Sequence, residues 1–249
     1  MNLAELAMFA AAGVVGGVVN SLAGGAKLFV FPMLLASGLP PIVANATGTV
    51  ALWPAQLPAL WLHRRMIAGS LRAMAGRIAP AAVGALVGAF ALILSSERAF
   101  LAVIPFVLVG AVVVIALGNR LARLATRAIP RSWRGALILL LMFATGVYGG
   151  YFGAGMGFLL IAVISLAGVW SIHESNAEKN LAATVINTTA VVPLLASGLV
   201  HLPAAGGVLI GGFLGGYLGG RISGLLPELP MRLVVAGLGL VLTLSFLFG

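Results

Sequence analysis

The chain has 249 residues, of which 61% are hydrophobic and only 8% charged, and its mean hydropathy is +1.17. Several apolar runs reach the about 20 residues needed to cross a hydrocarbon core, so the sequence reads as an all-α polytopic membrane protein with no room for a soluble catalytic domain. Cysteine is absent, which excludes disulfides, thiolate metal sites and cysteine nucleophiles, and the net charge of +9 sits mostly in arginines between apolar runs, where membrane topology explains it better than nucleic acid does.

No basic residue precedes Lys27, so a cleavable signal peptide is not expected and Met1 to Gly249 is read as the mature chain. Apolar runs occupy roughly 5–37, 42–62, 75–95, 99–118, 135–169, 177–200, 203–225 and 231–248. The first and fifth are too long for one span, since a helix of about 33 residues reaches about 50 Å against a core of about 30 Å. Each contains a glycine-rich break, at Asn20 to Gly25 and at Gly149 to Gly157. Each is therefore a tilted, broken helix or a re-entrant hairpin of two shorter helices. Continuous spans would place Arg64, Arg65, Arg72, Arg77, Arg120, Arg123, Arg127, Arg131 and Arg134 on one side and leave Arg98, Lys179, Arg221 and Arg232 on the other. Hairpins move Lys179, Arg221 and Arg232 to the first group and leave Arg98 alone, which the positive-inside rule favours.

The two halves are also related. Gly13, Val14, Gly16, Gly17 and Gly24 recur as Gly146, Val147, Gly149, Gly150 and Gly157 at an offset of 133, and Asn45, Ala46 and Ala51 recur as Asn176, Ala177 and Ala182 at 131. Residues 1–130 and 131–249 are read as two membrane repeats. One hairpin plus three spans makes an odd number of crossings, so the second repeat is expected to be inverted. Inverted repeats with paired broken helices mark secondary transporters, whose substrate lies near the midplane where the breaks meet. The alternative is chance matching among glycine-rich helices.

The glycines of GGYFGAGMG do not form a nucleotide-phosphate loop, because no strand precedes them and no Gly-Lys-Ser/Thr follows. In GGFLGGYLGG, Gly211, Gly215, Gly219 and Gly212, Gly216, Gly220 make two small-residue ridges for helix packing. At the breaks the polar neighbours Asn20, Ser21 and Lys27 and the density of glycine ask for more than packing, and an unwound turn with free backbone N–H groups suits an anion. Asn45, Thr47 and Thr49 open the segment after the first break. Asn176, Lys179, Asn180, Thr184 and Asn187 do so after the second, with Asn180, Thr184 and Asn187 sharing a helix face. Helix capping is the structural alternative for Asn45 and Asn176, and interhelical hydrogen bonding for Asn187 and Thr188.

Lys27 at the centre of a membrane helix costs about 3 kcal/mol or more unless it finds a partner. The nearest acid in sequence is Glu5, so either an anionic ligand supplies that partner or the side chain snorkels to the interface. The chain has no aspartate, and Glu5, Glu97, Glu174, Glu178 and Glu228 all fall at expected ends or loops, which disfavours a carrier built on a buried carboxylate. His173, Glu174 and Glu178 could relay protons beside the second break, and His173, Glu174 and His201 make only a weak metal set. Ser21 and Lys27 are the only pair resembling a nucleophile and base for an intramembrane hydrolase.

The runs NSLAGGAKLFVFPMLLASGLPPIVANATGTVALWP, GGYFGAGMGFLL and IHESNAEKNLAATVIN, in this order and in matching places of the two halves, resemble the sulfite exporter TauE/SafE family of bacterial membrane transporters. The resemblance implies export of sulfite, a sulfonate or another small organic anion across the bacterial cytoplasmic (inner) membrane, with no bound cofactor. It places the family's glycine-rich turn on Gly24 and Gly25, its proline on Pro32 and its helix-opening segment on Asn45 to Thr49. The second-half counterparts are Gly153, Gly155, Gly157, Asn176, Lys179 and Asn180. Ala26, Lys27 and Gly48 depart from the pattern, which expects glycine, a small hydroxyl residue and asparagine there. The expected substrate set is Asn20, Ser21, Gly24, Gly25, Lys27, Asn45 and Thr47 with Gly155, Gly157, Asn176, Lys179 and Asn180. The expected partners are a small anion and the lipid bilayer; a homodimer is compatible with the sequence, and a passive anion channel is the competing function.

Overall fold

The computed structural model describes residues 3–23, 25–168 and 171–222, with residues 237, 240–241 and 243–244 near the end. The chain runs through α1 (Leu3–Ala23), α2 (Lys27–Ala36), α3 (Pro41–Leu52), a 3-10 turn (Pro54–Gln56), α4 (Leu57–Leu62), α5 (Arg64–Leu94), α6 (Glu97–Ala128), α7 (Arg131–Tyr151), α8 (Met156–Leu166), α9 (Ile172–Ala196) and α10 (Leu202–Ile222), and the described residues contain no strand. Four of these, α5, α6, α7 and α10, are long and apolar enough to cross a membrane. Large apolar side chains such as Leu94, Phe106, Leu140 and Tyr217 point outward from the bundle, the inverse of a water-soluble surface. Pro54 and Pro58 each remove a backbone donor, and the expected span 42–62 is accordingly broken into α3, the 3-10 turn and α4.

Both long apolar runs turn back on themselves. A Cβ on Gly16 would lie 2.5 Å from Val30 Cγ2, whereas a continuous helix would hold these residues about 20 Å apart. A Cβ on Gly149 would likewise lie 2.5 Å from Met156 Sδ. So α2 lies against α1 and α8 against α7, and of the two readings open from sequence the hairpin is the one found.

Two expectations need correction. The arginine-bearing segments 63–77 and 119–134 were expected as connections, but α5 begins at Arg64 and α6 runs to Ala128, because arginine is a good helix former and a helix does not stop where hydrocarbon does. Much of the glycine density before the breaks serves packing. A Cβ on Gly13 or Gly17 would strike the carbonyl of Val208 or Gly212 on α10, and one on Gly211 or Gly215 would strike that of Ala10 or Val14 on α1. The same arrangement joins α5 and α7, where Gly84 and Gly88 meet the carbonyls of Phe143 and Val147, and Gly146 and Gly150 those of Ala81 and Ala85. Residue numbers rise together along both members of each pair, so each pair runs parallel. Only hydrogen fits at these crossings.

Between the pairs lies the interior. Phe31 of α2, Phe100 of α6 and Phe152 at the second break are fully buried, with the Phe31 and Phe152 rings edge-on at 5.3 Å. A second cluster of Met74, Met142, Leu160 and Ile186 joins α5, α7, α8 and α9.

Candidate functional site

The two breaks meet in the interior. At the first, Leu28 N donates to Gly25 O at 3.0 Å and α2 begins at Lys27, whose stem rests against Gly48 of α3. Lys27 is 7% exposed. Its Nζ donates to Thr49 Oγ1 at 2.5 Å, and the Thr49 hydroxyl in turn donates to Asn45 O, one turn earlier, at 3.0 Å. The same ammonium lies 5.4 Å from the centre of the Phe152 ring, within cation–π range. The side chain therefore runs inward to neutral partners, which sets aside the snorkelling alternative.

At the second break α7 stops at Tyr151 because Gly153 and Gly155 turn left-handed, with φ of +77° and +70°. Phe152 N and Gly153 N both donate to Tyr148 O, and the Tyr148 hydroxyl donates to Ala154 O. The carbonyl of Tyr151, which the broken helix leaves without an intrahelical donor, accepts from Asn45 Nδ2 at 2.8 Å. Asn45, fully buried, thus closes the broken end of α7 from the other half of the chain.

Capping is not what Asn45 and Asn176 do for their own helices. The N-terminus of α3 is served by Glu97, whose carboxylate oxygens accept from Ile42 N at 3.2 and 3.3 Å. That of α9 is served by Ser171 Oγ, which accepts from Glu174 N as an N-cap. Thr47 Oγ1 accepts from His201 N at 2.9 Å and so ties α3 to the turn before α10, while His201 Nδ1 accepts from Ala204 N.

The sequence-derived set divides. Gly25, Lys27 and Gly155 lie at the breaks and Asn45 on the α3 face between them, whereas Thr47 sits on another face of α3, against His201. Asn20 is half-buried in the last turn of α1, and Gly157 lies inside the first turn of α8 rather than in the break. Asn176 Oδ1 accepts from Lys179 Nζ at 3.1 Å along α9, and Asn180 O accepts from Thr184 Oγ1. Ser21 lies on α1, but its side chain, like Gly24, is outside the described residues. Glu178 overturns its expected place at a helix end, being the seventh residue of α9 and fully buried against Arg77, while His173 and Glu174 stay exposed. Sequence reasoning missed Tyr151 and Phe152, the partners supplied by the second break, and left Thr49 out of the set although it follows Asn45 by one turn.

Helices throughout the described residues, four of them long and apolar enough to cross a membrane, place the chain among polytopic membrane proteins. The sulfite exporter TauE/SafE family model matches residues 9–246, and the chain belongs to that family. No curated protein and no solved structure matches it.

Proposed function

We propose that the protein is a secondary transporter that exports a small sulfur-containing or organic anion, sulfite or a sulfonate, across the cytoplasmic (inner) membrane of a bacterium by alternating access at the paired breaks. The observation that carries this reading is the meeting of the breaks, Lys27 with Phe152 and Asn45 with Tyr151. A buried ammonium whose described partners are all neutral has no compensating charge among the described residues, and an anion supplies that compensation. Asn20, Ser21, Gly24, Gly25, Lys27, Asn45 and Thr47 from one half, with Gly155, Gly157, Asn176, Lys179 and Asn180 from the other, remain the proposed substrate set.

Following the chain supports an inverted repeat divided between residues 130 and 131. Because α5 and α7 are parallel and α6 lies between them, α7 starts at the face where α5 starts. From there α8 returns, α9 crosses and α10 comes back antiparallel to α7. Since α1 is parallel to α10, the two hairpin helices enter from opposite faces, as alternating access about a fixed site requires.

The test is flux of radiolabelled sulfite in liposomes reconstituted with purified protein. Saturable uptake that Lys27→Met weakens about ten- to hundredfold, the worth of one charge-assisted hydrogen bond, is the expected result. No flux of sulfite or sulfonates, or saturation unchanged in Lys27→Met, overturns the reading. Accumulation against a gradient separates a carrier from the passive channel.

A further inference from the structure

One buried polar atom on the α3 face that Lys27 meets lacks a partner among the described residues. Asn45 is fully buried, its Nδ2 is committed to Tyr151 O at 2.8 Å, and no donor among the described residues reaches its Oδ1. The orientation of the amide is fixed, because turning it over would set Oδ1 against another carbonyl oxygen and leave that carbonyl without its donor. The related position in the second half is different, since Asn176 Oδ1 receives Lys179 Nζ. In the first half the lysine donates to Thr49 instead. Asn45 and Thr49 are one turn apart on the same face of α3, so the Asn45 amide and the Lys27 ammonium border one spot, with Tyr151 and Phe152 of the second break facing it. Buried acceptors are almost always satisfied, and a single ammonium whose described partners are a hydroxyl and an aromatic face balances one negative charge, not two.

We propose that this spot selects a singly charged anion that brings its own N–H or O–H donor, the charge set against Lys27 and the donor against Asn45 Oδ1. This rests on the transport reading above and narrows its substrate class. A fully deprotonated dianion would leave one charge uncompensated and would add a second acceptor opposite Asn45. A donor-less monoanion would satisfy Lys27 and leave Oδ1 unpaired.

Sulfamate and methanesulfonate test this directly, because they share shape and single charge and differ in an amino group against a methyl. Each is added, alongside sulfate, as a competitor of labelled sulfite flux in liposomes carrying the full chain, at a mildly acid pH where sulfite bears one charge. Sulfamate is expected to compete about tenfold better than methanesulfonate, and sulfate worse than both. In Asn45→Ala the preference for sulfamate over methanesulfonate should shrink to about twofold or less. Equal competition by the two monoanions in the unsubstituted protein, stronger competition by sulfate, or a tenfold preference that survives Asn45→Ala overturns the proposal. Should Asn45→Ala not reconstitute, the ratio in the unsubstituted protein decides alone. Sulfite flux indifferent to the donor sinks this inference and leaves the transport reading standing, whereas no flux for any of these anions sinks both.

Discussion

Arg77 of α5 and Glu178 of α9 form a two-pronged ion pair, with Nε on Oε1 and Nη2 on Oε2, each at 2.6 Å. The carboxylate side is 1% exposed and the guanidinium side 27%, so the pair belongs to the interior at Glu178 and reaches the margin at Arg77. Its geometry is the parallel fork that suits arginine and that lysine does not reproduce.

Removing one partner strands a buried charge. Arg77→Ala should lower the stability of the detergent-solubilised protein by about 3–5 kcal/mol, while the double change to leucine should cost much less, because no orphaned charge remains. Thermal unfolding followed by tryptophan fluorescence, with Arg77→Leu, Glu178→Leu and the double variant completing a double-mutant cycle, measures the coupling, and losses that simply add in the double variant would contradict the pairing.

The helix crossings predict a sharp contrast among glycines. Gly84→Ala puts a methyl onto the Phe143 carbonyl, which belongs to a helix backbone and cannot swing aside, so a loss of about 1–3 kcal/mol is expected. Gly76→Ala, three turns or less away on the same helix, meets nothing within 4 Å and should be neutral or stabilising by up to about 1 kcal/mol. Unfolding temperatures of the two variants side by side decide the matter.

Glu97 anchors α3 from the start of α6. Glu97→Ala should remove the acceptor of Ile42 N, cost about 1 kcal/mol and speed amide exchange in the first turn of α3. Hydrogen exchange resolved to that peptide gives the answer, with unchanged protection as the contrary result.

Gly155 holds φ at +70° immediately before α8. Alanine there should cost about 1–2 kcal/mol, and asparagine, which visits the left-handed region more readily, should cost less. The order of the two unfolding temperatures is the readout.

Much of the frame was legible from the order of apolar, glycine and arginine residues along the chain. Long apolar runs interrupted by glycine and polar residues foretold helices that fold back, and the distribution of arginine chose the hairpin. The breaks were harder to locate, because a glycine needed for a left-handed turn and one needed beneath a neighbour's carbonyl look alike in sequence. Gly153 and Gly155 are of the first kind, Gly146 and Gly150 of the second. At the site, Lys27 announced itself by its charge in an apolar run. Its neighbour Phe152 did not, since an aromatic residue in a membrane segment is unexceptional until the fold brings it across 125 positions to an ammonium. Glu178 was misplaced for a similar reason: its compensating arginine lies 101 residues away.

The close fit of α1 on α10 also bears on how the protein is made. At about 5–20 residues per second, α10 leaves the ribosome about 10–40 s after the helix it must cover. Throughout that interval the glycine furrow of α1 has only lipid or the insertion machinery against it. The contact of α1 with α10 is therefore completed only after α2 to α9 have been made, whereas its contact with α2 is available almost at once.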